Sequence, residues 1–221
     1  MHKALIFANG DVNDGDMVRR TLEVAAAMPG QTLIIAADGG ARAAQHFGLR
    51  VDTVVGDMDS LSEIEQVQLQ AEGTDIIRHP PEKDETDLEL AIALARNEGA
   101  TWIRVIGGVG DRLDQTISNV YLLAQAAQAG FDARMVVGKQ EAWVMGSGDH
   151  TVVGAEGDTV SLIPLNGTVH GIVTDGLYYP LRDEDLHFGP ARGVSNVMTA
   201  PHAQIRIRDG ALLVVHTLGR A

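Results

Sequence analysis

No cysteine occurs among the 221 residues, which excludes disulfides, thiolate metal sites and a cysteine nucleophile. Basic residues are scarce, 17 Lys and Arg against 30 Asp and Glu, for a net charge of −13. Nucleic acid and anionic membranes are bound through clustered Lys and Arg, so neither is an expected partner. No apolar run approaches the ~20 residues that a membrane span needs. The opening MHKALIFANGD has too short an apolar stretch for a signal-peptide core, so a cytoplasmic location is expected. Eight histidines are present, with no local pair at zinc-site spacing. There are no repeats and no low-complexity segments. In this setting Asn166-Gly167-Thr168 reads as a turn rather than a glycan acceptor.

What is present is 45% apolar residue content on a chain long enough to bury a real core. Over residues 1–138, short apolar runs alternate with helix-like segments. The runs are ALIFA (4–8), TLIIAA (32–37), DTVV (52–55), TDII (74–77), WIRVIG (102–107) and ARMVVG (133–138). Helices are predicted at about 17–28, 41–47, 61–72, 86–98 and 114–129, the fourth with an apolar stripe through Leu88, Ala91, Ile92 and Ala95. Thr86 with Glu89 resembles a capping box at its start, and Gly99 suits its end. This alternation predicts an α/β N-terminal domain with a mostly parallel, Rossmann-like sheet covered on both faces.

Over residues 139–221 the helical period disappears. The runs TVSLIPL, TVHGIV, AQIRIR and ALLVVH, punctuated by glycine, predict an all-β C-terminal sandwich or barrel. Asn166-Gly167 and Asp209-Gly210 are expected at tight hairpins.

Acidic residues concentrate where the strands end. Residues 38–89 hold 13 Asp and Glu and 4 Lys and Arg, a balance of −9. Asp38 follows one apolar run directly, in Asp38-Gly39-Gly40, while Asp57 and Asp59 follow the next in VVGDMDSL. Arg112 and Asp114 follow a third, in GGVGDRLD, and EKDETD adds Asp84 and Asp87 at a helix start. A parallel sheet places all these turns on one edge, where ligands bind. Two carboxylates ~4 Å apart at an effective dielectric of ~20 repel by ~4 kcal/mol, so a cation is expected between Asp57 and Asp59.

An all-oxygen set selects Mg²⁺, Mn²⁺ or Ca²⁺ rather than zinc. Mg²⁺ completes its shell with water and substrate phosphate, which implies a nucleotide or polyphosphate. The glycine turns at Gly39-Gly40 and Gly107-Gly108-Val109-Gly110 suit close backbone approach to phosphate, although neither fits a named phosphate loop. Of the three lysines, Lys3, Lys83 and Lys139, only Lys83 lies among the acidic motifs, so Lys83 and Arg112 are the expected phosphate contacts.

Each feature also has a purely structural explanation. Asp59 or Ser60 could cap the next helix, Ser60 with Glu63 as a capping box. Asp84 and Asp87 could complement a helix dipole, and Arg112 with Asp114 could be a surface ion pair. Asp38 and Ser195-Asn196 could be turn residues. The structural account must, however, place acidic turns after several strands by chance.

Five segments in this order, ADGGARAAQHFG, VDTVVGDMDSL, KDETDLELAIALA, IGGVGDRLDQTISNVYLL and GVSNV, resemble the thiamine pyrophosphokinase family over nearly the whole chain. The resemblance implies transfer of diphosphate from ATP to the hydroxyl of thiamine, giving thiamine diphosphate and AMP. It implies Mg²⁺ at Asp57, Asp59 and Asp87, with Asp38 and Thr86 lining the same crevice and Lys83 contacting phosphate. Arg112 and Asp114 match an RxD motif serving the nucleotide and the active-site network, and Ser195 and Asn196 match an SN motif that holds thiamine. It further implies a homodimer with shared active sites, thiamine lying between one subunit's nucleotide domain and its partner's β-domain.

Two departures stand out. No Trp follows the SN motif, so Tyr178, Tyr179, Phe188 or Trp143 must supply any stacking, and Gln115 and Ser118 replace the His and Ala of many relatives. Three other activities fit some of these features: a diphosphokinase acting on a pterin-like alcohol, a haloacid-dehalogenase-type phosphatase reading DMDSL as its nucleophile motif, and a nucleotide-sensing module without catalysis. The phosphatase lacks the acidic pair expected after the strand at 133–138.

Overall fold

The computed structural model describes residues 2–220. The chain divides into two compact units, one of Met1–Ala126 with Gly130–Gly138 and one of Ala127–Ala129 with Lys139–Ala221. Among the described residues no helix is long and apolar enough to cross a membrane.

The first unit carries six strands, β1 (His2–Phe7), β2 (Thr32–Ala37), β3 (Thr53–Gly56), β4 (Asp75–Arg78), β5 (Ala100–Ile106) and β6 (Asp132–Val137). They lie in the order β6-β5-β1-β2-β3-β4, every neighbouring pair parallel. Continuous burial along β1 and β5 reflects a sheet covered on both faces, which is why these runs are apolar without alternation. The helices between them are α1 (Asp16–Ala27), α2 (Ala41–His46), α3 (Glu63–Ala71), α4 (Asp87–Asn97) and α5 (Leu113–Gln128). The predicted stripe of α4, Leu88, Ala91, Ile92 and Ala95, is its buried face.

Chain order runs outward from β1 in both directions, through β2 on one side and β5 on the other. The point where order reverses, between β1 and β5, opens a crevice beyond the strand ends.

Helix starts refine the sequence reading. Thr86 caps α4 through its side chain, Oγ1 accepting the Glu89 N–H at 3.2 Å. The α3 cap is Ser62 and not Ser60: Ser62 Oγ accepts from Glu65 N at 3.4 Å, and the Ser62 N–H donates back to Glu65 Oε2 at 2.9 Å. The Ser60–Glu63 box is thus replaced by one two residues later. Ser60 is left free for another task.

The second unit is all antiparallel. One set of strands runs β12 (Asn196–Val197), β9 (Thr159–Pro164), β14 (Leu212–Thr217) and β7 (Gln140–Met145). The other runs β11 (Arg182–Leu186), β10 (Val169–Asp175), β13 (His202–Ile207) and β8 (Gly148–Val153). Alternating burial along β13 turns Ala203, Ile205 and Ile207 into a shared core with Leu162, Ile172, Leu212 and Val214. The Asn166-Gly167 and Asp209-Gly210 turns do not close hairpin ladders as expected. β9 pairs with β14 and β12, while β10 and β13 pair with each other, so both turns pass from one sheet to the other. Turn chemistry specifies that the chain reverses; it does not specify whether the next strand stays in the sheet.

Candidate active site

A cavity of about 540 Å³ opens at the carboxyl ends of the first unit's strands. Its lining comes from the ends of four strands and the turns that follow: Ala8–Asp11 after β1, Ala37 at the end of β2 with Asp38 after it, Asp57, Asp59 and Ser60 after β3, and Gly107–Arg112 after β5. Thr86, Asp87 and Leu88 from the start of α4, and Gln115, Thr116 and Asn119 from α5, complete it. Topology has gathered groups that lie far apart in the chain.

Two loops clasp to make one wall. The Gly10 N–H donates to the Gly107 carbonyl at 2.9 Å and the Asp11 N–H to the Val109 carbonyl at 2.8 Å. A methyl group on Gly10 would meet both carbonyl oxygens at 2.4 Å, so only glycine permits this approach. Asn119 Nδ2 holds the same loop through the Gly108 carbonyl at 2.8 Å.

The acidic groups converge. Carboxylate oxygens of Asp38, Asp57 and Asp59 lie within 4.8 Å of one another. Asp38 and Asp87 flank Gly56: a Cβ there would sit 3.1 Å from Asp38 Cβ and 2.9 Å from Asp87 Cγ. Lys83 supplies positive charge, its Nζ 3.0 Å from Asp87 Oδ1 and 3.9 Å from Asp57 Oδ2. Asp87 is therefore beside the trio but paired with a lysine. That contact is electrostatic, for Asp87 Oδ1 has no hydrogen-bond partner.

Asp38 is the most constrained of the group. It is 3% exposed and sits in the left-handed region at φ 46°. Burial raises its pKa above the usual carboxylate value; the hydrogen bonds from Ser60 pull it back, and Asp59 adds to the rise. Among the described residues just two buried side-chain polar atoms lack a hydrogen-bond partner, Asp38 Oδ1 and Asp87 Oδ1, and both belong to this cavity. Asp87 Oδ1 already faces the Lys83 ammonium at 3.0 Å, so Asp38 Oδ1 is the orphan, and a buried carboxylate oxygen in that state is costly unless a cation completes it. The donor set, all carboxylate oxygen, fits a hard divalent ion.

Strain marks the same motifs. Among the described residues four non-glycine residues have positive φ, and three are Asp38, Met58 (between Asp57 and Asp59, φ 68°) and Ser195 (φ 61°). Such conformations cost about 1–3 kcal/mol and persist where surrounding structure holds them.

Other expected site residues fall as follows. Arg112 lines the cavity and pairs with Asp114 at 3.2 and 2.5 Å; both are about two-thirds exposed, and Asp114 is outside the lining. The hydrogen bond raises the Arg112 pKa and lowers that of Asp114. Gly39 and Gly40 are buried and do not line the cavity. Their missing side chains let the turn pack on β1, where a Cβ would meet Asn9 Oδ1 at 2.4 Å or the Phe7 carbonyl at 2.0 Å. Asn9, Gly10 and Asp11 were overlooked in the sequence, although they too follow an apolar run directly.

Ser195 and Asn196 belong to the second unit. The Asn196 side chain is 8% exposed overall and bonded to its own chain: Oδ1 accepts from Tyr179 N at 3.0 Å and Val197 N at 2.9 Å, and Nδ2 donates to the Tyr179 carbonyl at 2.7 Å. Tyr178 and Tyr179, 65% and 66% exposed, stand edge to face with ring centroids 4.8 Å apart. Phe188 is exposed as well, but Trp143 is enclosed in the core and presents no face to a ligand, which removes it from the stacking candidates.

Comparison with known proteins gives one consistent result. Residues 25–135 match the protein-family model described as thiamin pyrophosphokinase, catalytic domain, and residues 149–212 match thiamin pyrophosphokinase, vitamin B1 binding domain. Thiamine pyrophosphokinase from Bacillus subtilis (strain 168) is 24% identical over 187 residues, 84% of this chain and 87% of the relative. The crystal structure of thiamine pyrophosphokinase from Bacillus subtilis shares the fold with a TM-score of 0.85, 22% identity and coverage of 98% and 99% of the two chains. That of Geobacillus thermodenitrificans has a TM-score of 0.81 at 25% identity, covering 98% and 97%, and that of Candida albicans 0.80 at 17%, covering 98% and 89%.

Proposed function

The chain belongs to the thiamin pyrophosphokinase family, and on that premise we propose that it transfers the diphosphate group of ATP to the hydroxyl of thiamine, giving thiamine diphosphate and AMP. The observation that carries this reading is the meeting of Asp38, Asp57 and Asp59 in one cavity at the β1/β5 switch point. The pterin, phosphatase and sensing alternatives gain no support, because both family models concern thiamin pyrophosphokinase.

Asp57 and Asp59, with Asp38 and Asp87 adjoining them, would hold Mg²⁺. When bound, the ion supplies positive charge that neutralises phosphate oxygens. The chain's own groups do the rest. Lys83 and Arg112 attract the polyphosphate, and the glycine loop at 107–110 offers backbone to its oxygens. The carboxylates polarise the attacking hydroxyl, whose oxygen bonds to the β-phosphorus as the bond to the α–β bridging oxygen breaks. AMP departs with that oxygen, and the hydroxyl proton is released toward the cavity carboxylates. Alignment and charge neutralisation are the main requirements of such a transfer.

In this reading the first unit binds the nucleotide, and the second binds thiamine near Ser195, Asn196 and the Tyr178–Tyr179 turn. The functional form is a homodimer with shared sites, working in the cytoplasm. The acidic lining favours a cationic substrate such as thiamine.

The test is direct. Purified protein is incubated with Mg²⁺-ATP and thiamine, and AMP and thiamine diphosphate are quantified together. Stoichiometric formation of both supports the proposal; ADP, free phosphate or no turnover overturns it.

A further inference from the structure

We propose that Ser60 is a positioning residue for the metal site, with Asn9 orienting its hydroxyl. This inference rests on the divalent-cation reading above. Ser60 is released from helix capping because Ser62 takes that place. Every polar group of Ser60 is then engaged, and each partner comes from a different strand end or helix.

Its N–H donates to Asp38 Oδ2 at 3.0 Å, and its hydroxyl donates to Asp59 Oδ1 at 3.0 Å. The same hydroxyl oxygen accepts from Asn9 Nδ2 at 3.2 Å. Its carbonyl accepts from Arg42 Nη2 at 2.7 Å. Arg42 is in turn held by both oxygens of Glu65, at 2.5 and 2.9 Å, and hydrogen bonds from Arg42 and then Ser62 bring the Glu65 pKa down to about 2. One residue thereby ties the end of β1 and the end of β2 to the β3 turn, and braces that turn on α2 and α3.

The chemical consequence lies in which oxygens remain. Asp38 and Asp59 repel one another, and Ser60 stabilises both by giving each one proton donor. Taking Asp38 Oδ2 leaves Oδ1 as the buried oxygen without a partner. Each carboxylate keeps one oxygen that Ser60 does not engage, and its rotation is restricted by the bond it makes. Groups that orient ligands in this way are worth about 10–100-fold in metal affinity.

The probe is Mn²⁺ alone, its free concentration read by electron paramagnetic resonance, with no nucleotide present. Ser60→Ala is expected to raise the Mn²⁺ dissociation constant about 10–100-fold, while Ser60→Thr, which keeps the hydroxyl, stays close to wild type. In turnover assays Ser60→Ala raises the metal concentration needed for half-maximal rate without raising the KM for thiamine at saturating metal. Unchanged Mn²⁺ affinity in a folded Ser60→Ala protein overturns the proposal, as does equal damage in Ser60→Thr. Should Ser60→Ala fail to fold, Asn9→Ala carries the test. It must weaken Mn²⁺ binding in the same direction, and unchanged affinity overturns the proposal. A wild-type protein that binds no Mn²⁺ sinks the metal reading itself, a result distinct from wild-type binding with indifferent variants.

Discussion

Asn196 grips Tyr179 by both of its backbone polar groups, accepting from the N–H at 3.0 Å and donating to the carbonyl at 2.7 Å. This fixes the turn that carries two exposed, mutually packed tyrosine rings. Asn196 therefore fixes the position of the aromatic pair through the backbone.

Removing that grip should show in thiamine binding. Asn196→Ala leaves the Tyr179 backbone groups without their partner, a cost of about 1–3 kcal/mol. The KM for thiamine should rise while that for ATP stays near wild type. Steady-state kinetics with each substrate varied in turn, alongside a thermal melt, will show it; equal effects on both substrates would contradict the assignment.

Neutralising the acidic trio should abolish catalysis while preserving the fold. Asp57→Asn and Asp59→Asn are nearly isosteric, and each is expected to lose most turnover, with circular dichroism unchanged. Asp38→Asn should lose activity and gain stability, because it removes a buried charge whose Oδ1 is unpaired. Near-normal turnover in the first two variants would defeat the metal assignment.

A methyl group at Gly56 tests how tightly Asp38 and Asp87 must approach. Gly56→Ala meets Asp87 Cγ at 2.9 Å and Asp38 Cβ at 3.1 Å, on a backbone at φ 151°. The strain should cost about 1–3 kcal/mol and reduce kcat by more than the loss of folded protein explains. Comparing kcat with the melting temperature separates the two effects.

The buried His216 should make stability depend on pH. It is 1% exposed, with Nε2 2.8 Å from Asp158 Oδ2 and Nδ1 3.5 Å from Glu141 Oε1. Burial alone lowers its pKa, but hydrogen bonds and charge from Glu141 and Asp158 together outweigh this and raise it above 6.5. For Asp158, burial is opposed by the N–H of Gly219, then by His216 and the N–H of Ala155, and its pKa falls below 3.8. The histidine's contribution is complete below about pH 6.5 and is lost as pH rises through its folded value. The aspartate's is complete above about pH 4 and is lost as pH falls. The pair thus stabilises most between these limits, and melting temperature should decline on the alkaline side. His216→Gln should flatten that alkaline decline in melts from pH 5 to 9; an unchanged slope would sink the explanation.

The architecture was legible because periodicity is local. Uninterrupted apolar runs report a sheet buried on both faces, and alternation in β13 reports a sheet with one wet face. Acid placed directly after such runs gave away Asp38, Asp57 and Asp59, since parallel topology sends every strand's carboxyl end to one edge. Asn9 obeys the same rule after β1 and could have been found by it.

Other features were decided only by tertiary structure. The sequence offers Asp59 or Ser60 as the α3 cap, whereas the backbone places Ser62 there. The turns at Asn166-Gly167 and Asp209-Gly210 carry the same local signal whether they close a hairpin or change sheets, and here they change sheets. Ser60 meets Asn9 across 51 positions, and His216 meets Asp158 across 58. Short-range preferences fix where elements begin and which face is buried. Which side chains touch across such separations depends on strand order and register, which arise when the whole core is buried at once.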